Sequence, residues 1–71
     1  MTYCVATTFE TVYTHEIEHK VEYTDDRARA IGAYCVYLEN SEVTECYLIK
    51  VPYEGYTGKG KMIAAYKYKG L

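Results

Sequence analysis

The sequence contains no tryptophan, one proline, one serine and no long apolar run. A membrane-spanning helix needs about 20 predominantly apolar residues in a row, so we expect none here. The first residues also lack a basic region followed by an apolar core, so we expect no secretory signal. The one serine, Ser41, falls at a predicted helix end, which leaves no serine–histidine–aspartate arrangement for nucleophilic catalysis. These absences predict a cytoplasmic protein without a serine-based active site.

Cysteine is also scarce: Cys4, Cys35 and Cys46 are an odd count and include no CxxC pair. A disulfide framework in a secreted chain uses an even number of cysteines. A structural zinc site needs a fourth ligand and closer spacing. Neither Cys35 nor Cys46 has a clear base partner that would make it a nucleophile. We therefore expect three small buried side chains in a reducing compartment, with no metal and no other cofactor.

Length and charge describe one small domain with two differently charged parts. The 71 residues, 49% hydrophobic and 25% charged, suit a single folded domain spanning residues 1–71. Residues 1–46 hold nine acids and three bases, whereas residues 47–71 hold one acid and five lysines. The formal net charge of -2 thus hides an acidic front and a basic last hairpin. Such a dipole orients partners without identifying them.

Apolar, aromatic, threonine or histidine residues occupy every odd position from Tyr3 to Tyr23. From Glu10 onward the even positions are mostly charged residues or threonine, and this period of two is typical of half-buried strands. One straight strand of this length would span about 70 Å, whereas the radius of gyration expected for the whole chain is about 11 Å. The run must therefore fold back. Its constant odd frame predicts inward-facing odd residues and a three-residue loop or a bulge near residues 12–14.

A helix is predicted after this run, over residues 25–38. Thr24-Asp25-Asp26 supplies a cap and two acids for the first turn, where the helix dipole favours them. Asn40-Ser41 predicts the end of the helix, since asparagine tolerates the left-handed cap conformation. Helical spacing predicts one apolar stripe that packs on the sheet, formed by Ala28, Ile31, Cys35 and Leu38 with Tyr34 beside them.

Two more strands follow the predicted helix. The segment from Val43 to Val51 is rich in strand-forming residues and ends at Pro52. Residues 54–60 predict a flexible turn, and residues 61–69 alternate again. On this last strand we expect one face to hold Met62, Ala64, Tyr66 and Tyr68 and the other to hold Lys61, Lys67 and Lys69. The order ββαββ predicts an α+β fold, an antiparallel sheet of about four strands with one helix packed on one face.

Residues 15–19, HEIEH, spell the HExxH motif of zinc metalloproteases. On a helix the two histidines would lie about 5–6 Å apart and could share a metal. On a strand four residues cover about 13 Å, so one ion cannot bind both. The surrounding alternation favours the strand. We therefore expect His15 and His19 to be half-buried strand residues, with Glu16 and Glu18 pointing outward as solvated acids.

Residues 55–61 spell GxxxxGK after a strand, which is the start of a phosphate-binding loop. Met62 stands where that motif needs a serine or threonine to hold Mg²⁺. The residues that follow alternate like a strand and leave no room for the helix that the motif requires. We therefore interpret the three glycines as turn residues and predict no nucleotide triphosphatase.

Tyrosine is the strongest compositional feature, at ten residues against one phenylalanine. Its apolar ring and polar tip suit interfaces, and it is enriched among residues that dominate binding energy. Ten tyrosines exceed what a single-layer core of this size requires. We therefore expect a surplus of exposed tyrosines that forms a contact surface.

The last hairpin combines tyrosines with lysines and holds the candidate binding residues. They are Tyr53, Tyr56, Lys59, Lys61, Tyr66, Lys67, Tyr68 and Lys69. Binders of single-stranded nucleic acid combine a cationic groove with aromatic stacking platforms. Against that function, the tyrosines and lysines of the last strand are expected on opposite faces, and the overall charge is negative.

Three features of the chain form one pattern: the helix over residues 25–38, the strand over residues 45–51 and the Gly/Lys turn leading into Ala64-Ala65-Tyr66-Lys67. In this pattern the chain resembles the small phage-encoded inhibitor proteins of the anti-CRISPR kind. The resemblance covers most of the chain and lies in size, element order and the lack of a catalytic site. It implies a protein of the cytoplasm, the host cytoplasm if the chain is phage-encoded. It also implies that the protein blocks a larger nucleic-acid-handling complex by occupying one of its surfaces.

Two functions remain open from these patterns. The first is a non-enzymatic inhibitor, monomer or homodimer, that binds a protein partner through exposed strand faces, the last hairpin or an edge strand. The second is a small nucleic-acid-binding module that uses the lysine-rich hairpin and shows a steep salt dependence. An enzyme would require a perturbed titratable cluster in a cleft, and the sequence offers no pattern for one.

Overall fold

The computed structural model describes residues 1–68 and has the predicted α+β order. The elements are β1 (Thr2–Glu10), β2 (Ile17–Thr24), α1 (Arg27–Leu38), β3 (Val43–Val51) and β4 (Lys61–Lys67). The strands form one antiparallel sheet in the order β2-β1-β3-β4, and α1 packs on one of its faces. The edge strands are therefore β2 and β4. Within residues 1–68, no helix has the length and apolarity that crossing a membrane takes.

The core lies where α1 meets the two central strands. Its buried residues are Val5, Ala30, Val43, Cys46 and Leu48. Thr7 is also buried, and its hydroxyl lies 3.6 Å from the sulfur of Cys46, so this polar group is not left unpaired. Half-buried aromatic rings surround this centre, including Phe9 and Tyr37, which pack edge to face at 5.8 Å between ring centroids.

The ends of α1 follow local side-chain chemistry. Asp26 is the cap residue, and its carboxylate accepts hydrogen bonds from the backbone N–H groups of Ala28 and Arg29. The prediction of two acids inside the first turn is wrong, because Asp26 is the cap and Asp25 precedes it. The helix ends at Leu38 as predicted. The side chain of Asn40 then accepts a hydrogen bond from the Glu42 N–H, which stabilises the turn into β3.

The face of α1 that packs on the sheet is not the predicted stripe. The residues that pack on the core are Ala30, Ala33, Tyr34 and Tyr37. Ile31 and Leu38 are each 39% exposed, and Ala28 and Cys35 are exposed as well. The prediction followed the larger aliphatic residues. In the fold, small alanines at the centre allow the helix to approach the sheet closely, and the long tyrosines cover its edges.

The connection between β1 and β2 reverses the predicted frame. It contains six residues, 11–16, so Val5 pairs with Glu22 and Ala6 pairs with Val21. The turn at residues 12–14 is confirmed, but the three-residue loop and the constant odd frame are wrong. An even loop length places odd residues of β1 beside even residues of β2. As a result, the odd residues of β2 lie on the sheet face away from α1, here named the open face: Ile17, His19, Val21 and Tyr23.

A bulge in β4 also changes which residues of that strand face α1. The register of β3 with β4 shifts between Leu48 and Ile49, which leaves Ile63 as an extra residue on β4. Tyr66 therefore faces α1, opposite to Lys67 as predicted. Met62 lies with Lys67 on the open face and Lys61 lies on the α1 side with Tyr66, so the predicted faces of Met62 and Lys61 are wrong. The strand prediction for Lys61 to Lys67 is confirmed, and Lys69 lies outside the described residues.

Candidate functional site

The predicted binding residues lie at opposite ends of β4 instead of forming one cluster. Lys61 begins the strand and Lys67 ends it, and six residues of strand span about 20 Å. The loop end also holds Tyr53, Tyr56 and Lys59, and the far end also holds Tyr66 and Tyr68. The last predicted binding residue, Lys69, is outside the described part of the chain. The hairpin thus presents two separate patches.

The two tyrosines of the loop mainly support the loop itself. Tyr53 and Tyr56 pack edge to face with their ring centroids 5.4 Å apart. Gly55 adopts a φ of 84°, which glycine reaches without steric cost, and Gly58 lies against the Tyr56 ring with no room for a Cβ. The strand β4 follows this loop, so the interpretation of the glycines as turn residues is confirmed. Tyr56 is half-buried and is not a free stacking platform.

At the start of β4, three cations line one cleft of about 460 Å³, here named the cationic cleft. Lys61 is the register partner of Lys50 on β3, and Arg27 from the first turn of α1 borders the same space. The remaining lining residues are Tyr3, Met62 and Ile63, so no acid takes part. Like charges directly opposite each other on neighbouring strands destabilise a sheet. This arrangement therefore costs stability.

The charges of the cationic cleft have no acidic partner in residues 1–68. In that part of the chain Lys20 forms an ion pair with Glu22, and His15 lies beside Glu10 in a contact that is an ion pair only when the histidine is protonated. Neither contact is at the cleft. Sequence reasoning found Lys61 but missed Lys50 and Arg27. Alternation gave no signal for Lys50, because apolar residues occupy both odd and even positions of its strand. The position of Arg27 depends on where α1 lies across the sheet.

The far end of β4 borders a larger cleft of about 730 Å³ next to the β1–β2 loop. It is lined by Glu10, Val12, His15, Ser41, Glu42, Val43, Thr44, Tyr66 and Tyr68. Its closest charged contact joins His15 Nδ1 to Glu10 Oε1 at 3.5 Å, with side chains that are 77% and 41% exposed. Solvent screens an ion pair of this exposure and makes it weak. The closest charged contact of this cleft is thus a solvated acid–imidazole pair.

The two histidines of the HEIEH segment belong to different structures. His15 lies in the loop with a φ of 57°, so its prediction as a strand residue is wrong. His19 lies on β2 as predicted, although exposed, and its Nδ1 is 3.1 Å from the hydroxyl of Thr8. The segment has no helical spacing that would bring both rings to one ion. Among the described residues, no three histidine, cysteine or acidic side chains are grouped to hold a metal.

Two cysteine thiols with a raised pKa lie in the packed parts of the molecule. Burial raises the pKa of the Cys46 thiol, and a hydrogen bond with Thr7 partly offsets that rise. Burial also raises the pKa of the Cys4 thiol. A raised thiol pKa disfavours the thiolate, which is the nucleophilic form. Cys4 and Cys46 are buried as predicted, whereas Cys35 is exposed and that prediction is wrong.

The open face is a second surface. The sequence predicted an exposed sheet face but assigned other residues to it. Val21 is 53% exposed, Ile17 is 64% exposed and Met62 is 52% exposed. Register pairing aligns two largely apolar rows across the four strands, Val21–Ala6–Tyr47–Ala65 and Tyr23–Cys4–Ile49–Met62. The alternation predicted that the odd residues of β2, Val21 and Tyr23 among them, would face inward under the helix.

The tyrosines are less exposed than the composition suggested. Tyr13, Tyr53 and Tyr68 are exposed, at 94%, 59% and 52%, and the other seven are half-buried. The prediction of exposed tyrosines is therefore right for three residues. These three lie on separate loops and ends, so they do not form one contact surface.

Comparison of the chain with protein-family models, with characterised proteins and with solved structures finds no match in any of the three. Function is therefore inferred from the geometry and chemistry of these surfaces.

Proposed function

We propose that this chain is a non-enzymatic protein-interaction module that binds an acidic surface of a larger nucleic-acid-handling complex and inhibits it. The supporting observation is the pairing of Lys50 with Lys61 beside Arg27 in the cationic cleft. Arrangements that destabilise the fold locally, such as two lysines paired across strands, occur mainly at functional sites. An acidic partner would supply the missing counter-charge. The inhibitory role and the class of target are what the resemblance to anti-CRISPR proteins implies.

The surroundings of the cleft suit a protein partner. Tyr3, Met62 and Ile63 lie beside the cations, and aromatic residues, methionine and arginine are enriched in protein interfaces. Met62 is 52% exposed and Ile63 is 40% exposed, so a partner would bury apolar area here together with the charges. Such mixed contact favours a folded protein surface over a bare phosphate chain.

The free edge of β4 offers a second means of contact. The N–H of Tyr68 donates to the carbonyl of Thr44 at 2.8 Å, which continues the register of β3 with β4. Because hydrogen-bonding groups alternate in direction along an antiparallel strand, the N–H and C=O groups of Ala65 and Lys67 point away from the sheet. An extended segment of the partner can pair with these groups and add a strand.

Nucleic-acid binding is the second candidate, because the same three cations match the charge of phosphate groups. Two observations weigh against it. The chain carries a net charge of -2, and nucleic-acid binders usually present a strongly basic footprint. Tyr3, the tyrosine that lines the cleft, is half-buried by its own fold, and so are Tyr56 and Tyr66. The few cations would therefore have to act without stacking platforms.

The decisive experiment reverses charge at the cleft and at a matched distant site. The test variant is Lys50→Glu with Lys61→Glu. The control is Lys20→Glu with Arg29→Glu, which changes the net charge equally on the β2 side of the molecule. Affinity purification from the source organism with mass spectrometry identifies the partner, and calorimetry with the purified partner measures affinity. We expect a loss of about tenfold or more for the test variant, equivalent to about 1.4 kcal/mol, and little change for the control. Equal losses in both variants, or none, would contradict the proposal.

Salt dependence separates the two candidates. Labelled single- and double-stranded DNA is titrated with the protein at low and high salt. Absence of binding, together with a captured protein partner, supports the first function. Tight DNA binding that falls steeply with salt would replace it with the second. Ala65→Pro removes one outward N–H of β4 while keeping the edge strand, so its effect on partner affinity tests strand addition.

A further inference from the structure

The open face contains a ridge beside a channel. The ridge consists of the large open-face residues of β3, Glu45, Tyr47 and Ile49. The channel consists of the smaller open-face residues of β1, Thr8, Ala6 and Cys4, and it is shallow at Cys4, which is only 7% exposed. The register joins them one to one, since Thr8 pairs with Glu45, Ala6 with Tyr47 and Cys4 with Ile49. β1 and β3 are also the two central strands of the sheet, so the ridge and channel lie at its middle.

A surface with a ridge next to a channel is complementary to itself about a two-fold axis. If that axis runs along the strands between β1 and β3, the ridge of each copy lies over the channel of the other. Tyr47 then faces Ala6 of the second copy, and Val21 faces Ala65. Packed sheets cross at about 30°, and an axis in the interface plane can bisect that angle. From this geometry we infer that the open face binds a second copy of this chain as a two-fold dimer.

The size of the face suits such a dimer. Four strands about 4.8 Å apart, with about seven residues of each in contact, give a projection of about 450 Å². Side chains make the accessible area larger than this projection, which brings it towards the value of about 800 Å² per partner that is usual for stable interfaces. The dimer would therefore be a small one, with a dissociation constant of about 1 μM to 1 mM.

The distribution of polarity on the face also suits a copy of itself. The two apolar rows are central, and a polar row of His19, Thr8, Glu45 and Lys67 borders them. Interfaces typically have an apolar centre and a polar rim. Glu45 is the register partner of Lys67, so the charges of this row are locally balanced and two copies need not repel. The dimer would cover Met62, which borders the cationic cleft, but it leaves the lysines of that cleft and the edge of β4 free. The inference does not depend on the proposed function.

Sedimentation equilibrium of the full chain from about 1 μM to about 1 mM covers the expected range of affinity. We expect the mass to rise towards twice the 8.2 kDa of one chain. Val21→Glu places a charge within the proposed interface, and we expect the dissociation constant to rise at least 100-fold. The matched control is Val36→Glu on α1, because Val36 is 66% exposed on the other side of the molecule. We expect the control to dimerise like the natural chain.

Three results would overturn the inference. The first is the mass of a single chain at the highest concentration, and the second is an equal loss of dimer affinity in Val21→Glu and Val36→Glu. The third is a dimer that Ala65→Pro abolishes and Val21→Glu does not, which would indicate that the edge strands pair. Far-UV circular dichroism of each variant checks that it folds. NMR spectra of the unaltered chain give an independent test. On dilution, the amide signals of Val21, Ala6 and Tyr47 should shift, while that of Val36 should not.

Discussion

Lys50 on β3 and Lys61 on β4 are direct cross-strand partners, and Arg27 borders the same cleft. Replacing Lys61 with glutamate turns this like-charge pair into an opposite-charge pair. Such a change is worth about 0.2–1 kcal/mol. We therefore expect Lys61→Glu to raise the free energy of unfolding in urea while it weakens partner binding. The control is Lys59→Glu in the exposed loop, which should leave the free energy of unfolding unchanged. If Lys61→Glu lowers the free energy of unfolding, the repulsion between Lys50 and Lys61 does not destabilise the sheet.

The packing face of α1 is tested by one substitution made at two neighbouring positions. Ala30 is fully buried against the sheet, whereas Ala28 is exposed. Overpacking a filled core costs about 1–3 kcal/mol, so Ala30→Leu should lower the unfolding free energy by that amount. Ala28→Leu should change it by less than about 0.5 kcal/mol. If urea titrations show a larger loss of unfolding free energy for Ala28→Leu than for Ala30→Leu, the apolar stripe predicted from helical spacing is the face that packs on the sheet.

Tyr37 connects α1 to β2 by donating its hydroxyl hydrogen to Glu22 at 2.7 Å. Replacing the tyrosine with phenylalanine removes this bond and leaves the ring packed on Phe9. Because the carboxylate is part-exposed, we expect Tyr37→Phe to cost about 1 kcal/mol of unfolding free energy. Tyr13→Phe is the control, since Tyr13 is 94% exposed. If chemical denaturation finds both variants equal to the natural chain, the hydrogen bond contributes nothing to stability.

Stability should decline at alkaline pH. Burial raises the pKa of Cys46 above its ordinary value of 9.0, and it raises that of Tyr34 above 10.0. Burial and the bond to Glu22 raise the pKa of Tyr37 in the same direction. A raised pKa means that the fold favours the protonated form, so this contribution is complete below the ordinary values and is lost as pH rises through the folded-state values. Urea midpoints should be constant from pH 7 to about pH 9 and then fall. Midpoints that stay level, or rise, beyond that pH would contradict the assignment.

Zinc should not bind the HEIEH segment tightly. His15 is in a loop beside Glu10, and His19 is on β2 beside Thr8. Because the two rings belong to different elements, we expect calorimetry with Zn²⁺ to show no stoichiometric, tight binding, and His19→Ala to leave the titration unchanged. A one-to-one complex that His19→Ala abolishes would require a rearranged β1–β2 hairpin.

Features that depend on neighbouring residues could be predicted from the sequence. Strand-forming composition predicted β3 and alternation predicted β4. The glycines predicted the loop before β4, and the acidic residues before Arg27 predicted the start of α1. Part of the candidate site was predictable in the same way, since Lys61 was found from the basic hairpin. Lys50 and Arg27 were not, because their proximity to Lys61 depends on strand register and on the path of the helix.

The sequence by itself determined the element order ββαββ, because period, capping and turn chemistry act within a few residues. Only the tertiary structure decided which way those elements face. Six residues in the β1–β2 loop turned Val21 to the open face, and one bulge at Ile63 turned Met62 to the same side. Alternation specifies that every second residue shares a face. Loop length, register and packing against Ala30 then determine which face is buried.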